Sequence, residues 1–149
     1  MPEPLLTRLP PAVRDRLPAA SAAVATVAAG LTVRAVTGGW FAKYAGDALY
    51  TVLVYALVLF VRPRLSPGLA AAWALAVSWT IEFAQLTPVP AALSEASVLA
   101  RLVFGSTFGV GDLAAYAAGA ALAAAAHALA RRTRRVRRSA GTTGGQAVS

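Results

Sequence analysis

The sequence predicts an all-α integral membrane protein, a bundle of four transmembrane helices with an outer-side interfacial helix between helices 3 and 4. Two observations lead to this prediction. Of the 149 residues, 58% are hydrophobic and only 13% are charged, which is far from the balance of an average soluble protein. The hydrophobic residues also collect in runs that are rich in alanine, leucine and valine and lack the alternation of barrel strands.

Each apolar run approaches the ~17 to 25 helical residues that cross a bilayer core. The second run is the shortest, and the fourth consists mostly of alanine, a weak driver of insertion. The predicted spans are residues 19–36, 47–61, 67–86 and 113–130. The corresponding division of the chain is a cytoplasmic N-terminal segment (1–18), a four-helix transmembrane domain (19–130) and a basic, disordered cytoplasmic tail (131–149).

The placement of the basic residues predicts the orientation. The chain has 14 lysines and arginines against six acidic residues, a net charge of +8. Eleven of the 14 flank the apolar runs on one side: Arg8, Arg14, Arg16, Arg62, Arg64 and the six arginines of "RRTRRVRR". Cytoplasmic segments carry such an excess, so we predict a multi-pass protein of the bacterial plasma membrane with both termini in the cytoplasm. A cleaved signal peptide is the competing interpretation of residues 1–36, although the run is long for one.

Composition also limits the classes of partner. The lipid bilayer is the first predicted partner, and the arginine-rich tail is expected to contact anionic lipid head groups. Nucleic acid is not predicted, because no aromatic residues alternate with the tail arginines. A membrane-protein partner or a second copy of the chain stays open, with Ala115 and Gly119 available for close helix packing. The chain has no cysteine and a single histidine, His127, so we predict no metal site and no cofactor.

Polar residues from all four spans are expected near one membrane face. The candidate polar cluster consists of Arg34, Asp47, Glu82, Gln85, Asp112 and Tyr116. Glu82 should lie only ~6 Å inside the boundary of its span, at 1.5 Å rise per residue. An ionisable residue inside a span is a candidate for a functional site. Helical spacing places Ser78 and Gln85 on the face of Glu82, and Tyr116 on the face of Asp112.

Structural roles compete with function at each of these carboxylates. Asp47 and Asp112 each follow a glycine at a predicted helix start, so either one alone is more simply explained as an N-cap. Glu82 could instead form a structural pair with Arg34, or a hydrogen bond across helices. Both kinds of role stay open at this point.

The segment between the third and fourth spans, residues 87–111, is long for a small bundle. Its stretch "AALSEASVLARLVFG" has apolar residues at helical spacing, which predicts a helix lying on the outer membrane surface. We expect Gly105, Gly109 and Gly111 to act as hinges where the backbone turns back into the fourth span.

Three stretches carry a family resemblance over about residues 40–120: "YAGDALYTVLVY", "IEFAQL" and "LVFGSTFGVGDLAAYAAG". They resemble domain-of-unknown-function family 2809, small bacterial membrane proteins. The resemblance implies signature positions at Gly46, Asp47, Glu82, Gln85, Gly105, Phe108, Asp112, Tyr116 and Gly119. A more distant resemblance is to the VanZ-like family, some members of which are linked to glycopeptide resistance. The chain departs from the first pattern at Glu95, where the family has an arginine, and the resemblance implies no activity.

Three classes of function follow from these observations. The first is an outward-facing polar cluster that binds or translocates a proton, a cation or a polar molecule of the cell envelope. The second is a structural or partner subunit of a membrane complex, in which the cluster only ties the helices together. The third is a cell-envelope enzyme, which is least favoured because no nucleophile, metal-ligand set or cofactor motif accompanies the carboxylates.

Overall fold

A computed structural model describes residues 10–87, 97 and 109–143, and every regular element in these residues is an α-helix. The predicted all-α class is therefore confirmed for this part of the chain. The helices are α1 (Pro11–Arg14), α2 (Leu17–Val36), α3 (Gly39–Val61), α4 (Pro67–Ala84) and α5 (Val110–Thr143).

Three stretches of helix are long and apolar enough to cross a membrane: Pro11–Val36, Gly39–Val61 and Val110–Arg137. Helices of this length and composition indicate a membrane protein. The predicted third span forms α4, whose 18 residues are not among the three stretches. Polar and helix-capping residues lower its hydropathy, notably Glu82 near its end and Pro67 at its start. The predicted interfacial helix, with Glu95 and Arg101, falls outside the described residues apart from Ser97.

Short connections make successive helices antiparallel. Only Thr37 and Gly38 separate α2 from α3, and Gly39 has a φ of +64°, a conformation that glycine adopts without a steric penalty. Residues 62–66 join α3 to α4. Ser66 then caps α4 by accepting a hydrogen bond from the Leu69 backbone N–H at 3.4 Å, and Pro67 takes the first helical position.

Helix α3 is the central element, because it contacts α2, α4 and α5. The hydrophobic core lies where α3 and α4 meet and is formed by Val54, Tyr55, Ala70 and Ala74. Alanines of α5 pack against the same cluster. Helix α2 packs mainly against α3, and its only buried residue is Ala19. The small side chains at the α4 and α5 contacts allow these helices to approach α3 closely.

The closest approach of α5 to α3 is at Gly119. A Cβ atom at this position would collide with the backbone carbonyl of Ala48. By contrast, a Cβ at Gly46 would have open space around it. Gly119 therefore sets the distance between α3 and α5, whereas Gly46 has no steric reason to be glycine in this structure.

Two helix boundaries differ from those predicted. Helix α3 begins at Gly39 rather than at residue 47, so Asp47 lies inside the helix and is not its N-cap. Helix α5 continues through the arginine-rich segment to Thr143, where the sequence analysis predicts a disordered tail from residue 131. Alanine and arginine are strong helix formers, and a helix already nucleated upstream extends through them at little cost.

Replacing Gly119 with alanine should destabilise the fold by about 1–3 kcal/mol, the usual cost of forcing an extra carbon into a packed contact. Gly46→Ala is the matched control, and it should be neutral or stabilising because alanine favours helix and meets no neighbour. Unfolding of the purified protein in mild detergent, followed by circular dichroism, measures both. Equal melting of the two variants would contradict the close α3–α5 contact.

Candidate functional site

Three helices bring polar side chains together at one end of the bundle. Lys43 and Asp47 come from α3, Glu82 and Gln85 from the end of α4, and Asp112 and Tyr116 from the start of α5. We call these six residues the polar cluster. Because α3 and α5 run in the same direction and α4 runs opposite to them, the start of two helices meets the end of the third.

Glu82 is the most deeply buried member of the polar cluster, with 1% of its surface exposed. Its Oε2 accepts a hydrogen bond from the Tyr116 hydroxyl at 2.8 Å and another from Gln85 Nε2 at 3.3 Å. Its Oε1 accepts one from the Gly109 backbone N–H at 2.8 Å. A carboxylate is an acceptor-only group, and all three partners are donors, so the usual cost of burying it is offset. Glu82 thereby joins the end of α4 to the start of α5.

The start of α5 is built around these bonds. Gly109 donates its N–H to Glu82, and its carbonyl accepts the Asp112 N–H at 3.0 Å. A Cβ at Gly109 would lie 2.7 Å from Asp112 Oδ2, so only glycine fits there without displacing that side chain. The carboxyl groups of Glu82 and Asp112 both lie near the N-terminus of α5, the positive end of the helix dipole, where negative charge is favoured. Gly111 is similarly constrained, because a Cβ would lie 2.7 Å from the Tyr44 hydroxyl.

Lys43 supplies the cation of the polar cluster. Its ammonium group forms an ion pair with Asp112 Oδ1, which joins α3 to α5, and lies 3.5 Å from Asp47 Oδ2 one turn along α3. It also lies 5.1 Å from the centre of the Tyr44 ring. The Lys43 side chain is 46% exposed, whereas that of Asp112 is only 5% exposed. The cation thus reaches the buried carboxylate from the surface.

The carboxylates outnumber the cations in the described part of the polar cluster, where Asp47, Glu82 and Asp112 are accompanied by Lys43 alone. Asp47 Oδ2 is a buried atom that accepts no hydrogen bond within residues 10–87, 97 and 109–143. Its contact with Lys43 is therefore electrostatic and not a well-formed hydrogen bond. Asp47 is the least satisfied of the three carboxylates.

A second polar contact lies one turn below the polar cluster. The hydroxyl groups of Thr51 and Ser78 are 3.2 Å apart across α3 and α4, and both residues are fully buried. Further along, the Tyr55 hydroxyl contacts His127 Nδ1 at 2.9 Å, and it donates to the Pro67 carbonyl at 3.3 Å. Together these contacts fix the register of α3 against its two neighbours.

The structure brings together five of the six predicted cluster residues, namely Asp47, Glu82, Gln85, Asp112 and Tyr116. Arg34 is the exception. It lies in the last turn of α2 with an exposed side chain, and it forms no ion pair or hydrogen bond in the described ranges. Helix α2 flanks α3 away from α4 and α5, so its end does not reach the carboxylates. Of the predicted hinge glycines, Gly109 and Gly111 precede or begin α5, and Gly105 lies outside the described residues.

Lys43 is a member of the polar cluster that was not among the six residues predicted from the sequence. Its spacing of four residues from Asp47 on one helix is a signal for an ion pair. Lys43 is also the only lysine in the chain. The signal was obscured because the second span was predicted to begin at residue 47, which left Lys43 in a loop.

Within the described residues, no group of three or more histidine, aspartate or glutamate side chains is placed to hold a metal ion. The charged group that Asp47 and Asp112 face is the ammonium group of Lys43.

Comparison with known families agrees with the sequence resemblance. The model of the family described as "Protein of unknown function (DUF2809)" matches residues 36–120, more than half of the chain. The chain belongs to this family. The match covers α3, α4 and the first part of α5, and therefore every residue of the polar cluster. No curated protein and no solved structure matches the chain. The resemblance to the VanZ-like family stays a prediction.

Tyr116→Phe should destabilise this DUF2809 protein by about 1–3 kcal/mol, because it removes a donor from the buried Glu82 carboxyl group. Tyr50→Phe is the matched control. The Tyr50 ring lies 6.3 Å from that of Tyr116, but its hydroxyl forms no hydrogen bond within the described part of the chain. Denaturant unfolding of both variants measures the difference. Similar losses in both would show that the hydroxyl of Tyr116 does not hold Glu82.

Proposed function

We propose that this DUF2809 protein is a four-span protein of the bacterial plasma membrane whose polar cluster binds an ammonium-type cation from the extracytoplasmic side. The bound cation takes the place of the Lys43 ammonium group between Asp47 and Asp112. The observation that carries the proposal is the pairing of one half-exposed lysine with two carboxylates, the buried Asp112 and the partly buried Asp47.

The four-span arrangement is supported by the packing of α4. Helix α4 lies antiparallel to α3 and contacts both α3 and α5, which are long enough to cross a membrane. Its 18 residues reach ~27 Å at 1.5 Å per residue, close to the ~30 Å of a bilayer core. A helix in contact with two membrane-spanning neighbours along this length is best accommodated as a span itself.

The orientation is supported by the opposite end of the bundle, where arginines gather. Arg16 Nε donates to the Phe60 carbonyl at 3.0 Å, and Arg131 donates to the Leu65 carbonyl at 3.3 Å. Arg62 and Arg64 lie in the α3–α4 connection between these contacts. Arginine-rich ends are characteristic of the cytoplasmic side, which leaves the polar cluster on the outer side.

Exchange of the cation is supported by the unequal exposure of the partners. The carboxylate of Asp112 is fixed at the start of α5, whereas Lys43 is held by a flexible four-carbon side chain with access to the surface. Removing Lys43 would leave Asp47 and Asp112 close together without a positive charge, which is unfavourable. A free ammonium group that enters as Lys43 leaves keeps the charge balanced throughout.

A purely structural role is the second candidate, and the environment of Glu82 favours it for that residue. Glu82 has three donors and almost no exposed surface, so it is a poor receptor for a ligand. We therefore assign Glu82 to holding the end of α4 against α5. The binding role belongs to Lys43, Asp47 and Asp112.

The orientation predicts where Lys43 can be labelled. An impermeant amine-reactive biotin reagent should modify Lys43 in intact spheroplasts, because it is the only lysine and half of its side chain is exposed. The control variant carries Lys43→Arg and Arg64→Lys, which moves the lysine to the α3–α4 connection. It should be labelled only after permeabilisation. The reverse pattern would invert the proposed orientation.

Cation binding predicts a specific response to small amines. Ethylammonium chloride should raise the melting temperature of the Lys43→Ala variant in detergent, and sodium chloride at the same ionic strength should not. The affinity of this variant for ethylammonium should exceed that of the unsubstituted protein by about tenfold, because the competing ammonium group is absent.

Two controls make this test specific. Arg34→Ala also removes one exposed cation, but it should show no preference for ethylammonium because Arg34 lies away from the carboxylates. Adding Asp47→Asn and Asp112→Asn to Lys43→Ala should abolish the response. If Lys43→Ala responds equally to sodium and ethylammonium, the cluster has no ammonium site and the structural role stands alone.

A further inference from the structure

A groove lies between α3 and α4 on the surface of the bundle. Its cavity volume is about 740 Å³, and almost all of its lining is apolar. The residues used below are Tyr50, Leu57 and Val61 from α3, and Trp73 and Val77 from α4. Leu57, Val61 and Trp73 each expose about half of their surface or more, so the groove opens sideways from the bundle.

The groove has the length of one leaflet of a bilayer. It follows α3 from Tyr50 to Val61, which is ~16 Å at 1.5 Å per residue. Half of a ~30 Å hydrocarbon core is ~15 Å. Because Val61 is the last residue of α3, the groove extends from the arginine-rich end of the helix to near the middle of the membrane.

A smaller basic pocket of about 450 Å³ continues from the end of the groove. The two cavities share Val61, Arg62 and Leu65. Arg16 and Arg64 also line the basic pocket, together with one acidic residue, Asp15. Three guanidinium groups and one carboxylate leave this pocket with an excess of positive charge.

Two of these arginines are available to a ligand. The side chains of Arg62 and Arg64 are exposed and form no hydrogen bond or ion pair within the described ranges, whereas Arg16 bonds to the Ala12 and Phe60 carbonyls. Guanidinium groups bind phosphate through parallel N–H donors. The basic pocket is thus complementary to a phosphate group at the level where lipid head groups lie.

We propose that this combined site binds one anionic phospholipid of the cytoplasmic leaflet, with an acyl chain in the groove and the phosphate at Arg62 and Arg64. The proposal depends on the proposed four-span arrangement and its orientation but not on cation binding by the polar cluster. A phospholipid fits better than a helix of another protein, because the groove ends at a compact basic pocket and not at a second apolar surface. The site is separate from the arginine-rich stretch of α5.

Tryptophan fluorescence offers a direct test. The full chain with Trp40→Phe and Trp79→Phe keeps a single tryptophan, Trp73, which lines the groove. It is reconstituted in phosphatidylcholine vesicles that contain phosphatidylglycerol, with bromine on the acyl chains of one lipid or of the other. Brominated phosphatidylglycerol should quench the fluorescence of Trp73 more strongly than brominated phosphatidylcholine does. The expected difference corresponds to about tenfold tighter binding of phosphatidylglycerol at the site.

The arginine variants identify the source of the preference. Arg62→Ala with Arg64→Ala should abolish it, and Arg62→Lys with Arg64→Lys should keep most of it. Arg132→Ala with Arg137→Ala removes the same charge from exposed positions of α5 and should leave it unchanged. Equal quenching by both lipids in the parent protein would overturn the proposal. So would a preference that survives loss of Arg62 and Arg64, or a Trp73 shielded from both lipids by a second copy of the chain.

Discussion

The buried carboxyl group of Glu82 is the constraint on which the arrangement of the other helices depends. The cost of desolvating it is offset only if donors surround it, and those donors are the Tyr116 hydroxyl of α5, the N–H of Gly109 just before α5 and the amide of Gln85 at the end of α4. To supply them, α5 must begin beside the end of α4. That requirement fixes the level of Asp112 and brings it within reach of Lys43 on α3.

The polar cluster therefore has two parts with different physical characters. Both carboxylate oxygens of Glu82 accept hydrogen bonds and little of its surface is exposed, which is typical of an interaction that holds helices together. Around Lys43, two carboxylates share one half-exposed cation. Exchange of that cation, as proposed above, would leave the junction of α4 and α5 at Glu82 intact. On this difference we base the proposal that Glu82 has a structural role and that Lys43, Asp47 and Asp112 have a binding role.

Much of this arrangement follows from one-dimensional patterns. Apolar runs and helical spacing predict that Asp47, Glu82, Asp112 and Tyr116 lie at one end of the bundle, because antiparallel spans bring the starts of the second and fourth to the end of the third. Arg34 lies at that end too, yet its helix flanks α3 on another side. Hydropathy gives the height of a residue in the bundle but not its position around the bundle. Height in the bundle therefore does not distinguish Arg34 from Lys43 as the partner of the carboxylates.

The close contact between α3 and α5 could likewise not be predicted from the sequence alone. Gly46 and Gly119 are both glycines within helices, and the family resemblance marks both, but only Gly119 faces a neighbouring backbone. Similarly, the positions of Arg62 and Arg64 in the sequence predict the orientation of the chain in the membrane. The groove that ends beside them depends instead on how α3 and α4 pack. Contacts between helices depend on rotation about each axis, which a single sequence specifies only weakly.

Zero-length cross-linking most directly tests whether Lys43 contacts the carboxylates of Asp112 and Asp47. A carbodiimide joins a carboxylate to an amine only where the two groups touch, and Lys43 is the only lysine in the chain. In protein reconstituted in phospholipid, mass spectrometry should find an amide between Lys43 and Asp112 or Asp47 of the same molecule, and Asp47→Asn with Asp112→Asn should remove it. Recovery of Lys43 joined instead to Asp15, at the opposite end of the bundle, would contradict the account.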